Sequence, residues 1–150
     1  MLAKDDMLPM LLDACPSFAP TWQEFLAEWR GEDDLPLYVA LGDLARHLIG
    51  LVERGETDEL PKVFQVVERW HLEGDEYVRE AATVGLLEGL QNLNLHEHGT
   101  APAQFRAMLR PESLRRWDEL AASWEEFFRW QESQQCRQAG PDVARDRLHD

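Results

Sequence analysis

The sequence predicts an all-α fold, a compact antiparallel helical bundle or a short α-α superhelix of about six helices. Three observations predict it. Apolar residues recur at three- and four-residue spacing through every long segment, no stretch alternates usefully with period two, and capping residues and glycines punctuate the periodic runs. Met7 to Ala14 reads as a first short helix with Pro9 near its start. Thr21-Trp-Gln-Glu24 has capping-box spacing behind Pro20 and predicts a helix from about Trp22 to Arg30, ended by Gly31. Asp34 is the expected N-cap of the next helix, with Pro36 in its first turn and Leu41, Leu44, Ala45, Leu48 and Val52 along one face as far as Gly55.

Thr57 is the expected cap of the following helix, where Leu60, Val63, Phe64, Val67 and Trp70 mark the inward face, Pro61 falls in the first turn and Gly74 closes the run. Asp75 caps another, with Val78, Ala81, Ala82, Gly85, Leu86, Gly89 and Leu90 facing inward. Glycine costs about 1 kcal/mol in a helix interior, so these small residues predict a neighbouring helix passing very close. Asn92 to Thr100 reads as a connector and Pro102 to Leu109 as a short helix. Pro111 opens a last helix with Leu114, Trp117, Leu120, Ala121, Trp124 and Phe128 on one stripe, expected to be core. Short glycine-containing turns make consecutive helices antiparallel, so the turns at Gly31–Leu35 and Glu73–Glu76 are expected at one edge, with Gly55–Asp58 and the His96–Thr100 connector at the other.

Gly74-Asp-Glu-Tyr-Val-Arg-Glu-Ala-Ala, with Leu86, Leu87 and Leu90 beyond it, resembles the second-helix signature of HEAT-type repeats. The wider stretch from Leu35 to Asn92 is similar to a family of small uncharacterised bacterial helical proteins. Small acidic helical proteins of this general kind include immunity proteins that neutralise toxins exchanged between competing bacteria. The resemblance implies helical packing and protein binding, and carries no catalytic motif with it. A clear second copy of the repeat is missing, which leaves bundle and superhelix both open.

The charge narrows the partners. The chain has 29 acidic and 15 basic residues in 150, a net charge of −14. Twenty acids against seven bases, a net −13, fall before residue 101. Such a surface repels nucleic acid and anionic membrane and suits a basic protein, including a toxin domain of nuclease type. No apolar run approaches the roughly 20 residues that span a bilayer, and the amino terminus lacks the basic-then-apolar order of a signal peptide, so a cytoplasmic protein is expected. A single helical domain over residues 1–131 is expected, followed by a flexible tail over 132–150, where large apolar residues become sparse.

Glu28, Glu32, Asp33 and Asp34 near one turn and Glu73, Asp75 and Glu76 at another are the candidate partner-binding residues. Capping by Asp34 and Asp75 explains two of them, and first-turn carboxylates meet the helix dipole favourably by about 0.3–1 kcal/mol. The remainder would steer a basic partner. Trp130, after Phe127-Phe-Arg at the ragged end of the last helix, is a candidate aromatic anchor, while Trp22 and Trp29 share the seven-residue spacing of Trp117 and Trp124 and read as core.

Catalysis has no positive support. There is no nucleophile elbow or phosphate-cradling glycine loop, and no Cys–His arrangement appears beyond accidental occurrence. No cofactor is expected. Cys15 and Cys136 lie far apart with no partner motif, so neither a disulfide framework nor a zinc site is signalled. His96-Glu97-His98 is a weak alternative metal cluster, on which a metal-dependent enzyme would rest, better read as a solvated loop for want of further local ligands. His47 and His71 read as structural.

Overall fold

A computed structural model describes the backbone of residues 1–149 and the side chains of residues 1–137. The described residues form helices and no strand, as expected. In chain order these are α1 (Lys4–Ala14), a 3₁₀ turn (Pro16–Phe18), α2 (Ala19–Glu28), α3 (Leu37–Glu53) and α4 (Leu60–Glu73). Then come α5 (76–91), a second 3₁₀ turn (Leu93–Leu95), α6 (Pro102–Arg106) and α7 (Pro111–His149). Within α5, Glu76–Glu80 and Glu88–Gln91 flank a π-helical stretch, Ala81–Leu87. Residues 1–117 make one compact unit and residues 118–150 a second, the division falling inside the α7 segment. The domain limit expected after residue 131 therefore also lies within α7. Of the expected tail, residues 138–150 lie outside those whose side chains are described.

The core of the first unit is the sum of the predicted stripes. Leu41, Leu44, Ala45 and Leu48 of α3, Val63, Phe64, Val67 and Trp70 of α4, and Val78, Ala81, Ala82, Leu86 and Leu90 of α5 are all buried. The close approach signalled by the α5 glycines is present: a Cβ on Gly85 would stand 2.8 Å from Leu41 Cδ1, and one on Gly89 would stand 3.0 Å from Ala45 Cβ. The side chains of Leu41 and Ala45 on α3 pack directly onto the α5 backbone at these positions because neither carries a side chain.

Several caps differ from expectation. Thr21 is not an N-cap, because the helix starts earlier: the 3₁₀ turn runs into α2 at Ala19, with Pro20 in the first turn, where a missing N–H is no loss. Asp34 does not cap α3, which begins beyond Pro36; its carboxylate turns to Lys4 instead. Thr57 does not cap α4, whose preceding residue is Glu59. Pro9 lies inside α1 rather than near its start, since α1 begins at Lys4, with the Asp6 carboxylate accepting from Ala3 N–H at 2.9 Å. Asp75 does cap α5, accepting from Val78 N–H at 2.9 Å.

Gly74 closes α4 with extended backbone (φ −74°, ψ 155°), which lets Leu2 add a short two-bond bridge: Leu2 N–H donates to Glu73 O and Asp75 N–H to Leu2 O, both at 2.8 Å. The N-terminal residues thus seal the α4–α5 turn. At the start of α7, buried Glu68 of α4 accepts from Glu112 N–H at 3.0 Å and from the N–H and hydroxyl of Ser113 at 2.8 and 2.9 Å. A side chain from another helix therefore meets the orphan donors of the α7 N-terminus.

Within the second unit, Trp124 and Phe128 are 37% and 55% exposed, which corrects the expectation that they are core. Trp117 is buried, but it belongs to the first unit. Among the described residues, no helix is long and apolar enough to cross a membrane.

Candidate functional site

The two turns expected at one edge are connected through the N-terminal segment. Lys4 pairs with the Asp34 carboxylate, and its ammonium lies 5.5 Å from the centroid of the Tyr77 ring in the first turn of α5. That hydrogen bond, opposed by partial burial, leaves the Lys4 pKa raised. Tyr38 of α3 meets the same Tyr77 ring edge-on, with centroids 6.0 Å apart.

The candidate acids then separate by their partners. Asp34 is paired with Lys4, Asp75 caps α5, and Glu73 is bound by Arg69 at 2.7 Å, which holds its carboxyl below the usual range. Glu28, Glu32, Asp33 and Glu76 are exposed, and their carboxylates have no hydrogen-bond or ion-pair partner among the described residues. Beside Asp33 and Asp34 lies an open groove of about 320 Å³ floored by Leu8, Leu12, Trp22 and Leu35, with Lys4 and Asp5 also on its margin. Apolar floor and acidic margin are the two chemistries that a basic amphipathic segment would meet. Trp22 is only half-buried, so it is available to this groove.

A second constellation joins residues far apart in sequence. Cys15 ends α1, Ser17 sits in the 3₁₀ turn, His47 is midway along α3 and Glu59 precedes α4. Glu59 is the acceptor at its centre: Oε1 takes the Ser17 N–H at 3.1 Å, while Oε2 takes the Cys15 thiol at 3.2 Å and the Ser17 hydroxyl. With the hydroxyl proton committed to Glu59, Ser17 Oγ accepts from His47 Nε2 at 2.8 Å. This is not a nucleophile–base relay, because the hydroxyl points its proton at the carboxylate and not at the imidazole.

The charges respond to these contacts. Burial pushes the Cys15 thiol up to about 11, and it also lowers His47. Desolvation pushes Glu59 upward, but hydrogen bonds from Ser17 and Cys15 outweigh it and hold the carboxyl below the usual range. The ligand atoms of Cys15, His47 and Glu59 all lie within 4.8 Å of one another, the one such group of three found among the described residues.

A family model described as Domain of unknown function (DUF7674) matches residues 8–125. The chain belongs to that family. The match takes in the acidic turns, the groove floor and the Cys15–His47–Glu59 cluster of this DUF7674 member, but not Lys4 or Trp130. No curated protein and no solved structure matches the chain.

Trp130 is 57% exposed, and its ring stacks near Phe127 with centroids 6.3 Å apart. His96 uses both ring nitrogens in the fold, Nε2 on Leu90 O and Nδ1 on Thr100 Oγ1, each at 2.8 Å, whereas His98 is exposed. The two do not converge with a third ligand among the described residues. His71 is structural as expected, buried with Nδ1 on Ser113 Oγ at 2.8 Å and Nε2 on Thr83 Oγ1 at 3.2 Å. The sequence shows no Cys–His arrangement beyond accidental occurrence, but folding sets Cys15 beside His47 across 32 residues. Ser17 and Glu59 carried no sequence signal, since separations of this size follow only from how α1, α3 and α4 pack.

Proposed function

We propose that this DUF7674 member is a protein-binding module, not an enzyme, that docks a basic amphipathic segment of a protein partner. The observation that carries the reading is the groove with its apolar floor of Leu8, Leu12, Trp22 and Leu35 beside Asp33 and Asp34. An apolar floor supplies burial, and the carboxylates beside it, Asp33 above all, supply orientation and encounter rate. Glu28, Glu32 and Glu76 extend the negative field, while Asp34, Glu73 and Asp75 contribute less because Lys4, Arg69 and the α5 N-terminus already engage them. Trp130 is a separate aromatic anchor in the second unit.

The more specific form of this reading is an immunity protein that occludes a toxin. Its support is the likeness to small acidic bacterial helical proteins together with a surface suited to a positively charged active site of nuclease type. A stoichiometric inhibitor needs only to cover that site. The test is to purify the product of the neighbouring gene and titrate it with this chain. The expected result is loss of toxicity at one equivalent, weakened by Asp33→Lys. A neighbour without toxicity, or inhibition unaffected by Asp33→Lys, contradicts the immunity reading and leaves the adaptor form of the module, in which the same groove holds a peptide or helix.

A further inference from the structure

We propose that Cys15, His47 and Glu59 form a zinc-binding site with a fourth coordination position open to water. The proposal goes beyond the binding groove and uses none of its residues.

Three helical elements deliver three different donor atoms to one point. The thiol comes from the end of α1, the imidazole from α3 and the carboxylate from the residue before α4, with all donor atoms within 4.8 Å of one another. A tetrahedral zinc with bonds of about 2.0–2.3 Å holds its donors roughly 3.4 Å apart. Cys15 Sγ and Glu59 Oε2 already stand at 3.2 Å, so the remaining adjustment lies in the half-buried His47 ring, which Phe18 meets at a centroid distance of 5.5 Å.

The surroundings are arranged as a ligand set would need. Glu59 has one oxygen anchored by the Ser17 N–H at 3.1 Å, which fixes the carboxylate and aims the other oxygen at the cluster. Cys15 is fully buried, yet a thiol is a weak hydrogen-bonding group and contributes little to a purely polar network. As a thiolate it is the donor that selects a borderline-soft cation such as zinc over magnesium or calcium, with imidazole and carboxylate completing a set zinc accepts. On coordination the Cys15 S–H bond gives its proton to solvent and the sulfur bonds the metal, with no change of oxidation state. The Ser17 hydroxyl, hydrogen-bonded to both Glu59 and His47, rotates away as the cation takes its place. Because Ser17 is exposed and His47 and Glu59 are only half-buried, the fourth position faces water.

The test uses the full chain carrying Cys136→Ser, which removes the exposed second thiol, under reducing conditions. Cobalt(II) added to this protein is expected to give a thiolate-to-cobalt charge-transfer band that zinc abolishes, and calorimetry is expected to give one zinc per chain. Glu59→Gln and His47→Gln are expected to weaken zinc by roughly a hundredfold, and Cys15→Ser to remove the cobalt band. Ser17→Ala keeps all three ligands and is expected to bind zinc as tightly as before or more tightly. Circular dichroism of each variant checks that it is folded. The absence of a charge-transfer band in the Cys136→Ser protein overturns the proposal irrespective of any variant. So does zinc affinity that survives both Glu59→Gln and His47→Gln, or that falls more than about tenfold with Ser17→Ala.

Discussion

Glu68 of α4 accepts from both the N–H and the hydroxyl of Ser113, 45 residues later in the chain, at 2.8 and 2.9 Å. The carboxylate is buried and closes the N-terminus of α7 from outside that helix. Glu68→Ala removes the acceptor and leaves the Glu112 and Ser113 donors without it in a buried setting, so stability should fall by about 2–4 kcal/mol in urea unfolding. Glu68→Gln keeps an acceptor oxygen and should cost about half as much. Equal, small effects of the two substitutions would show that water replaces the carboxylate.

His71 continues the same network and makes it sensitive to pH. Burial, reinforced by Arg116, lowers its pKa to about 4, against an ordinary value of 6.5. The folded chain therefore holds this imidazole neutral between pH 6.5 and 4, while the unfolded chain takes up a proton. The stabilisation is complete above the unfolded value and is lost as pH falls toward the folded one. Between pH 7 and pH 5 the loss should reach about 2 kcal/mol, with the lowered His47 adding in the same direction. In His71→Gln the fall over that interval should shrink to the part contributed by His47 and by the lowered carboxylates Glu59, Glu73 and Glu112, whatever the variant's stability at pH 7. An unchanged slope would contradict a neutral buried His71.

The helix glycines should divide by what faces them. A Cβ on Gly42 would meet only the Arg46 guanidinium at 3.7 Å, so Gly42→Ala should gain helix propensity and stabilise by up to about 1 kcal/mol. Gly85→Ala gains the same propensity but drives its methyl to 2.8 Å from buried Leu41, and should destabilise by about 1–2 kcal/mol. Gly74→Ala drives its methyl into the Trp70 carbonyl and to 2.7 Å from Val78 Cβ, and should be the worst, at about 3 kcal/mol. Thermal melts of the three variants check the order; a stabilising Gly85→Ala would mean that α3 and α5 are looser than described.

Local chemistry was legible in the sequence where one element sufficed to express it. The stripes of α3, α4 and α5, the Asp75 cap and the small residues of α5 each depend on neighbours three or four positions away, and each is found where its spacing placed it. The expected caps failed for different reasons: Asp34 goes to a tertiary partner, Lys4, whereas Thr21 and Thr57 miss because α2 starts earlier, at Ala19, and α4 starts later, after Glu59. Trp124 and Phe128 continue an apolar stripe beyond the point where the first compact unit ends, and periodicity alone does not say where burial stops. The edge joining the Gly31–Leu35 turn to the start of α5 followed from alternating helix direction, but its connector, Lys4, did not. The Cys15–His47–Glu59 cluster draws on three separate elements, with Cys15 32 and 44 residues from its partners and His47 12 from Glu59, so no spacing rule within one element could display it.

The central claim is that a specific acidic groove, and not the overall charge of −14, binds a basic amphipathic segment. Binding of a helical peptide with lysines on one face and leucines on the other, measured by calorimetry at near-physiological salt, tests it most directly. Asp33→Lys at the groove margin and Glu97→Lys on the α5–α6 connector change the net charge equally, and both residues are exposed. Asp33→Lys, and Leu12→Ser in the floor, are each expected to weaken binding by about tenfold or more, while Glu97→Lys is expected to change it less than about threefold. Equal losses from Asp33→Lys and Glu97→Lys, with Leu12→Ser silent, would contradict the claim.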